Sequence, residues 1–260
     1  MTVRICVTGA GGRMGRMVLE MAQAESSIAV TAALVQTGSA LIGQTIAGVT
    51  LTADISRALN TSEVLIDFTC PQSTLAYLAE CRQRGVNAVI GTTGFSAQQR
   101  LEIEAAAKEI AIVFAPNMSI GANVTLKLIE LATRALHENY DIEIIEAHHK
   151  NKVDAPSGTA LKMGEVAAAC LGKSLTEIGV FERHGHTGAR RPGTIGFSTI
   201  RGGDLVGDHT VMYAGTGERI EITHRSSSRA NYAHGALQAA KFVVDRKSGL
   251  FDMQDVLGLG

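Results

Sequence analysis

Val3-Arg4-Ile5-Cys6-Val7-Thr8-Gly9-Ala10-Gly11-Gly12-Arg13-Met14-Gly15 is the stretch whose reading decides the fold. Residues 3–7 are apolar apart from Arg4 and read as a short buried strand. Thr8 to Gly12 form a glycine-rich turn, and Arg13 to Ala24 then carry Met14, Met17, Val18 and Met21 at helical spacing. The glycines have the form GxGxxxG, one residue longer than the usual dinucleotide fingerprint, and the physics is the same. Gly9 permits the tight turn, Gly11 and Gly12 let the backbone approach a pyrophosphate, and N–H groups at the helix start face the anion. A glycine turn also occurs for purely structural reasons. Its place after an N-terminal strand and before a helix is what gives the nucleotide reading its weight.

Outward from that turn the pattern repeats. Strands are expected at Ile28–Val35, Val64–Phe68, Val86–Ile90 and Ile110–Ala115. Helices are expected at Asp54–Leu59, at Thr74–Arg84 (begun by Pro71 and stopped by Gly85) and at Ser96–Lys108, capped by Ser96. Leu41 to Thr52 is less regular. Strands alternating with helices across short turns predict a Rossmann-like, doubly wound parallel sheet. After Pro116 the pattern changes. Ile120–His137 reads as one long helix, Asp141–Ala147 as a strand and 157–170 as a helix. Thr194–Ile200, His209–Ala214 and Arg219–His224 are strand-like with no helix between them, which predicts a mixed or antiparallel sheet. Residues 229–243 return to helix, ahead of Gly249-Leu250-Phe251-Asp252-Met253. The expected class is α/β: a dinucleotide-binding domain followed by an α+β domain.

The 260 residues suffice for one large domain or two modest ones. With 45% hydrophobic and 19% charged residues the composition is globular, and 28 Gly against 4 Pro suggest tight turns around ligands. A net charge of −1 offers no concentrated basic face for nucleic acid or a membrane surface. Arg190-Arg191 reads as part of a solvated loop. The cysteines at 6, 70, 81 and 170 include no CxxC pair and suggest no disulfide framework, which favours a reducing cytoplasm. Cys6 and Cys170 read as small core residues. The strand pattern beginning at Val3 predicts no secretory leader, and no apolar run approaches the roughly 20 residues that span a bilayer.

The densest polar chemistry lies in Glu146-Ala147-His148-His149-Lys150-Asn151-Lys152-Val153-Asp154-Ala155-Pro156-Ser157-Gly158-Thr159. It leaves a strand and enters a helix, so a loop can aim two histidines and a lysine into a cleft. Ser157, Gly158 and Thr159 open the helix, and its N–H groups suit a carboxylate. Together these point to a small dianionic substrate held by that helix start and by Lys152. His148 or Lys152 supplies a proton while a nicotinamide cofactor supplies hydride. Glu146, His148, His149 and Asp154 include metal-ligand types, but the spacing fits neither HExxH nor another familiar zinc pattern, so no metal is expected. Lys150 and Asn151 read as surface residues. His184 and His186 read as loop decoration, His209 and His224 as structural strand residues, and Glu143 as exposed on a sheet face. The run Ser226-Ser227-Ser228-Arg229 could cap the next helix or join an interface.

Two further turns follow strands, where ligands sit in such folds. They are Gly91-Thr92-Thr93-Gly94, suited to the nicotinamide ribose or carboxamide, and Ala115-Pro116-Asn117-Met118 at the change of domain. The acidic residue expected about 20 residues beyond the glycine turn, which would hold the ribose hydroxyls, is absent. Strand two ends in Leu34-Val35-Gln36. Arg13 could face a 2′-phosphate instead, so NADPH is expected to serve at least as well as NADH; the alternative for Arg13 is a solvated helix-start residue.

Several segments together resemble the dihydrodipicolinate reductase family: 9–15, Asp67-Phe68-Thr69, Gly91-Thr92-Thr93-Gly94-Phe95, Glu146-Ala147-His148-His149, Lys152-Val153-Asp154-Ala155-Pro156-Ser157-Gly158-Thr159-Ala160 and 249–253. The likeness spans nearly the whole chain, and the segments at 146–149 and 152–160 are its specific part. It implies reduction of 4-hydroxy-tetrahydrodipicolinate to tetrahydrodipicolinate in the diaminopimelate route to lysine. It implies His148 as proton donor or acceptor, Lys152 as a further donor, and His149, Gly158 and Thr159 as substrate contacts. Gly9, Ala10, Gly11, Gly12, Arg13 and Met14 would line the cofactor site with Gly91, Thr92, Thr93, Ala115, Pro116, Asn117 and Met118. The chain would re-enter the first domain, giving a dinucleotide-binding domain of 1–118 with 229–260 and a substrate-binding and oligomerisation domain of 119–228. A homotetramer built through the second domain's sheet is implied. The chain departs from the family pattern in three places: Val35-Gln36 replaces an acidic residue followed by Arg, Cys70 replaces Arg before Pro, and Pro116 replaces a small residue.

Two other readings compete. A different two-domain dehydrogenase acting on a small amino acid or semialdehyde would carry a reactive cysteine in its second domain, where only Cys170 lies, in an apolar helix. A nicotinamide-binding sensor without catalysis would have little use for two histidines and a lysine beside an anion-binding helix start.

Overall fold

The computed structural model describes residues 2–260. The chain divides into two compact units: residues up to Ile120 together with Arg229–Gly260, and Gly121–Ser228. Among the described residues, no helix is long and apolar enough to cross a membrane.

The first unit begins with β1 (Val3–Val7), α1 (Arg13–Gln23) and β2 (Ile28–Leu34). The stretch that looked irregular in sequence forms β3 (Thr45–Ile46) and β4 (Val49–Thr52), an antiparallel pair whose β4 extends the sheet parallel to β2. Then follow α2 (Ile55–Leu59), β5 (Val64–Asp67), α3 (Pro71–Arg84), β6 (Asn87–Ile90), α4 (Ala97–Ala106) and β7 (Ala111–Phe114). The capping follows from the sequence. The Asp54 carboxylate accepts the Arg57 N–H, and Ser96 forms a capping box with Gln99.

The second unit runs through α5 (Ile120–Leu136), whose first residue belongs to the first unit, then β8 (Asp141–His148), α6 (Gly158–Cys170), α7 (Leu175–Ile178), β9 (Gly179–Val180), β10 (Ile195–Arg201), β11 (Gly207–Ala214) and β12 (Arg219–Ser226). The chain then returns to the first unit with α8 (Ala230–Val243), β13 (Gly249–Phe251) and α9 (Met253–Leu257). Asn87 secures this return. Its Nδ2 donates to the carbonyls of Val243 and Arg246, and its Oδ1 accepts the Ala111 N–H.

The sheet of the first unit has the order β13-β7-β6-β5-β1-β2-β4-β3, parallel throughout except at the β3–β4 edge. The two-residue period sorts its side chains to two cores. Ile5, Val7, Ile66, Val89 and Val113 pack with α1 and α8; Cys6, Leu65, Ala88, Ile90 and Ile112 pack with α3 and α4. Each large aliphatic side chain removed from water in this way contributes about 1.5–3 kcal/mol. Helices on both faces make the sheet doubly wound. Strand order reverses between β1 and β5, where ligands of such sheets bind beyond the carboxyl ends.

The sheet of the second unit has the order β12-β11-β8-β10-β9 and is mixed. β10 runs parallel to β8 and β9, while β11 runs antiparallel to β8 and β12. One face carries Ile142, Ile144, Phe197, Val211 and Tyr213 against Ile129 of α5 and Met163 and Ala167 of α6. Two expectations for this unit need correction. Glu143 is not on a free face: its carboxylate is bonded by both Arg183 and Arg190, and its side chain is only 15% exposed. Arg190 is not simply solvated. It also bonds Asp141 and the carbonyls of Ile142 and Thr194, so Glu143 and Arg190 tie the 181–194 loop to β8.

Candidate active site

In the first unit, the ends of β1, β5, β6 and β7 carry four turns. Gly9 has φ +61, a left-handed conformation that suits glycine, and a Cβ on Gly15 would lie 2.3 Å from the Gly9 carbonyl oxygen. These two residues bring the turn down onto the start of α1. That helix start has Gly12 at its N-cap, no side-chain cap and no acidic residue in its first turn. An uncapped eleven-residue helix behind a glycine cradle fits a pyrophosphate. Arg13 and Gln36 are exposed, whereas Val35 is buried against the turn, 3.7 Å from a Cβ built on Gly11. No carboxylate stands at the end of β2, so nothing there repels a 2′-phosphate.

The turns at β5 and β6 hold a group whose role the sequence did not reveal. Asp67 is fully buried at the end of β5. Its Oδ1 accepts hydroxyl bonds from Thr8 and from Thr69 (2.7 Å), and its Oδ2 accepts from Thr74 and from Thr92 (2.8 Å). Thr92 Oγ1 also accepts the Thr69 N–H at 2.9 Å. The Thr92 hydroxyl is therefore committed to the scaffold, and the 91–94 turn has its backbone and the exposed Thr93 left for a ligand. Ala115 is buried, with its N–H bonded to the Ile90 carbonyl; Pro116 is exposed, and Asn117 Oδ1 accepts the Ser119 N–H. Met118 is buried, and its carbonyl sits so close to Gly235 that a Cβ there would lie 1.8 Å away.

In the second unit, β8 delivers Glu146 and His148 to the face that packs on the helices. Glu146 is 1% exposed and accepts four hydrogen bonds. His148 Nδ1 lies 2.6 Å from its Oε2, Arg201 forks onto both oxygens at 2.8 Å, and the Ser157 N–H reaches Oε1 at 3.1 Å. Burial pushes the Glu146 carboxyl up, but the bonds from Arg201 and then His148 outweigh it and hold it below the ordinary carboxylate range. Ser157 caps α6 by accepting the Ala160 N–H, and its Oγ lies 2.9 Å from His209 Nε2. The His148 and His209 rings meet edge to face at 5.0 Å. Burial, reinforced by His148, pushes the His209 imidazole down to about 4, so it is neutral at physiological pH.

The loop between β8 and α6 is strapped down: Lys150 N–H donates to the Gly203 carbonyl, Gly202 N–H to the His148 carbonyl, and Lys152 N–H to the His149 carbonyl. Lys152 Nζ holds both oxygens of Asp154 at 2.8 and 2.9 Å, and Arg201 reaches the Asp154 carbonyl at 2.6 Å. His149 is half-buried, and its Nδ1 makes no hydrogen bond among the described residues. A Cβ on Gly158 would meet nothing within 4 Å, so the start of α6 is open. The first N–H groups of any helix lack partners within the helix itself, and here the Ala160 N–H donates to the Ser157 hydroxyl. His148, His149, Lys152, Ser157, Gly158 and Thr159 thus share one strand end, one strapped loop and one helix start. Lys150 and Asn151 are exposed.

Sequence reasoning missed Arg201 and gave His209 only a structural role. Arg201 stands 55 residues from Glu146 and owes its position to the parallel register of β8 and β10, which pairs it with His148. His209 pairs with Glu146 across the antiparallel β8–β11 register. Helix α8 has Arg229 at its N-cap, and the Arg229 side chain makes no cap bond.

Residues 3–118 match the family model described as "Dihydrodipicolinate reductase, N-terminus", and residues 121–257 match "Dihydrodipicolinate reductase, C-terminus". The chain is 56% identical to a 4-hydroxy-tetrahydrodipicolinate reductase of Nitrosospira multiformis, across 99% of this chain and 98% of that one. It is 55% identical to the protein of the same name from Burkholderia ambifaria, across 99% of this chain and all of that one. Among solved structures, a dipicolinate-bound dihydrodipicolinate reductase from Paenisporosarcina sp. TG-14 superposes with a TM-score of 0.80 at 24% identity, covering 98% of this chain and 99% of that one. A myo-inositol dehydrogenase from Corynebacterium glutamicum superposes with a TM-score of 0.60 at 13% identity, over 100% of this chain and 94% of that one.

Proposed function

The chain belongs to the dihydrodipicolinate reductase family, and we propose that the β8–α6 segment of its second unit performs the proton chemistry of that reaction. The protein is an NAD(P)H-dependent oxidoreductase that reduces 4-hydroxy-tetrahydrodipicolinate to tetrahydrodipicolinate in the synthesis of lysine through diaminopimelate. The product lacks the 4-hydroxyl group, so the balanced change is addition of a hydride and a proton with loss of water. When bound, the dinucleotide supplies the hydride.

His148 gives or takes a proton at Nε2, because Nδ1 is occupied by Glu146. Lys152 is a further donor, kept at its place by Asp154. His149, Ser157, Gly158 and Thr159 hold the substrate carboxylates, with the open start of α6 as the anion site. The first unit is the dinucleotide-binding domain. Gly9, Ala10, Gly11, Gly12, Arg13 and Met14 cradle the pyrophosphate, Val35 and Gln36 flank the adenosine ribose, and Gly91, Thr92, Thr93 and 115–118 line the nicotinamide side. NADPH or NADH serves.

The second unit binds substrate and assembles the protein as a homotetramer. The sheet face turned away from α5 and α6 carries Ile145, Met212 and a half-exposed Ile200, which suits pairing between copies. The setting is cytoplasmic, in keeping with four free cysteines.

The observation that carries this reading is His148, hydrogen-bonded to Glu146 beside the start of α6. Substrate generated in situ by dihydrodipicolinate synthase from pyruvate and aspartate semialdehyde tests it, with oxidation of NADPH or NADH followed by absorbance. His148→Gln and Lys152→Ala should each lower kcat by roughly 10²–10⁴-fold, while dinucleotide binding persists. Full turnover in both variants would place the proton chemistry elsewhere.

A further inference from the structure

We propose that Glu146 and Arg201 form a positioning pair that fixes the protonation geometry of His148 and locks the substrate loop to it. The inference rests on the role given to His148 above and deepens it. Four observations lead here. Glu146 is a buried carboxylate, and a buried charge persists only when its partners satisfy it. Its bonds go to three parts of the site at once: the imidazole of His148, the backbone of Ser157 at the start of α6, and the Arg201 fork. Arg201 has a second task, since one of its nitrogens also donates to the carbonyl of Asp154, the residue that holds Lys152. Finally, Gly202 N–H holds the His148 carbonyl and the Gly203 carbonyl takes the Lys150 N–H, so the residues after Arg201 brace the same loop.

The chemistry follows from what a carboxylate can accept. Ionised Glu146 offers only lone pairs, so the His148 nitrogen facing it, Nδ1, must carry the proton. Nε2 is then the nitrogen with an unshared pair in the neutral ring and the nitrogen that delivers a proton from the charged ring. Without Glu146 the imidazole can put its proton on either nitrogen, and only one choice is productive. Arg201 prevents Glu146 from rotating or taking up the proton itself, because its two parallel N–H bonds define the carboxylate plane. Through the Asp154 carbonyl it also sets the distance between the His148 end and the Lys152 end of the loop. Neither residue touches a reacting atom in this scheme; both act through His148 and the loop.

The test compares Glu146→Gln, Glu146→Asp and Arg201→Lys with His148→Gln, using the full-length protein. Glu146→Gln should lower kcat by about 10²-fold, the lower end of what a positioned proton donor contributes, and change KM for the dicarboxylate far less. Glu146→Asp should recover part of that loss, and Arg201→Lys, which keeps the charge but loses the fork, should fall between. Two-bond nitrogen–proton correlations of the histidine side chains give a readout independent of turnover. In the wild-type protein above neutrality, the resonance absent from His148→Gln should show the proton on Nδ1. In Glu146→Gln it should show a mixture or the Nε2 form. Should Glu146→Gln fail to fold, the wild-type spectrum alone decides. A proton on Nε2 there, or wild-type kcat in a folded Glu146→Gln, overturns the pair. Wild-type kcat in His148→Gln would instead sink the underlying assignment of His148.

Discussion

A Cβ built on Gly207 would lie 3.0 Å from Nε2 of His148. Strand β11 has no side chain where the imidazole of β8 needs room, and the space it leaves is on the side of the nitrogen assigned to the substrate. Gly207→Ala should push the ring away from Glu146 or block Nε2, and a misplacement of this order costs about 10²-fold in rate. Gly207 is not among the glycines with positive φ, so the variant should fold normally. Steady-state kinetics alongside circular dichroism check this; unimpaired kcat in a folded variant would mean that the ring has slack the packing does not show.

Asp67 gathers the hydroxyls of Thr8, Thr69, Thr74 and Thr92. Three of these threonines belong to turns at the ends of β1, β5 and β6, so one buried carboxylate sets the relative positions of the three turns proposed to face the cofactor. Asp67→Asn replaces one acceptor oxygen by a donor and leaves hydroxyls without acceptors. Each unsatisfied group costs about 1–3 kcal/mol, and the thermal midpoint of the cofactor-free protein should fall by several degrees. Dinucleotide affinity, followed by protein fluorescence, should weaken as well. A variant with unchanged midpoint and affinity would show that the threonines can re-pair locally.

The end of β2 presents a buried Val35 and an exposed Gln36, with Arg13 exposed at the start of α1. Absence of a carboxylate removes the group that would repel a 2′-phosphate. NADPH should therefore turn over at least as well as NADH. Arg13→Ala should raise KM for NADPH by about tenfold, the equivalent of 1.4 kcal/mol, and leave KM for NADH nearly unchanged. Initial rates with both cofactors measure it, and a strong NADH preference in the unaltered protein contradicts it.

His209 gives a pH dependence with a definite sign. Its folded-state value of about 4 lies below the 6.5 of an exposed imidazole, chiefly because of burial. Between those values the unfolded chain binds the proton that the folded chain refuses. Stability therefore falls as pH drops through 6.5 toward 4, by up to about 3 kcal/mol at one pKa unit per 1.4 kcal/mol. Urea unfolding at several pH values would show this slope. His209→Gln, which does not titrate, should flatten the window between pH 6.5 and 5; an equally steep loss in the variant would assign the effect to other groups.

Much of the architecture was legible because it rests on local periodicity. Ile5, Cys6 and Val7 announce a strand buried on both faces, and Met14, Val18 and Met21 announce the helix behind it. The hairpin of β3 and β4 was not, since two- and four-residue strands carry too few side chains to set a period. The same limit applies to the site. His148, Lys152 and Ser157 lie within ten residues and could be read as a group. Arg201 and His209 join them only through sheet register, and the partners of Asp67 are spread from Thr8 to Thr92. Glu143 illustrates the opposite error: alternation with Ile142 and Ile144 correctly gave its face, but the arginines that cover it arrive from a loop 40 residues away.

The bonds from Asn87 to the carbonyls of Val243 and Arg246, with β13 seated beside β7, have a consequence for biosynthesis. Residues 121–228 are contiguous, so a growing chain can condense them as soon as they clear the ribosome. The parallel sheet that precedes them in sequence must wait, because α8 and β13, which cover and complete it, are translated after them. The part made first thus finishes folding last, with the α8-facing side of β5, β6 and β7 uncovered in the interval. Cellular folding of this enzyme should depend on chaperones during that interval more than its moderate size alone suggests.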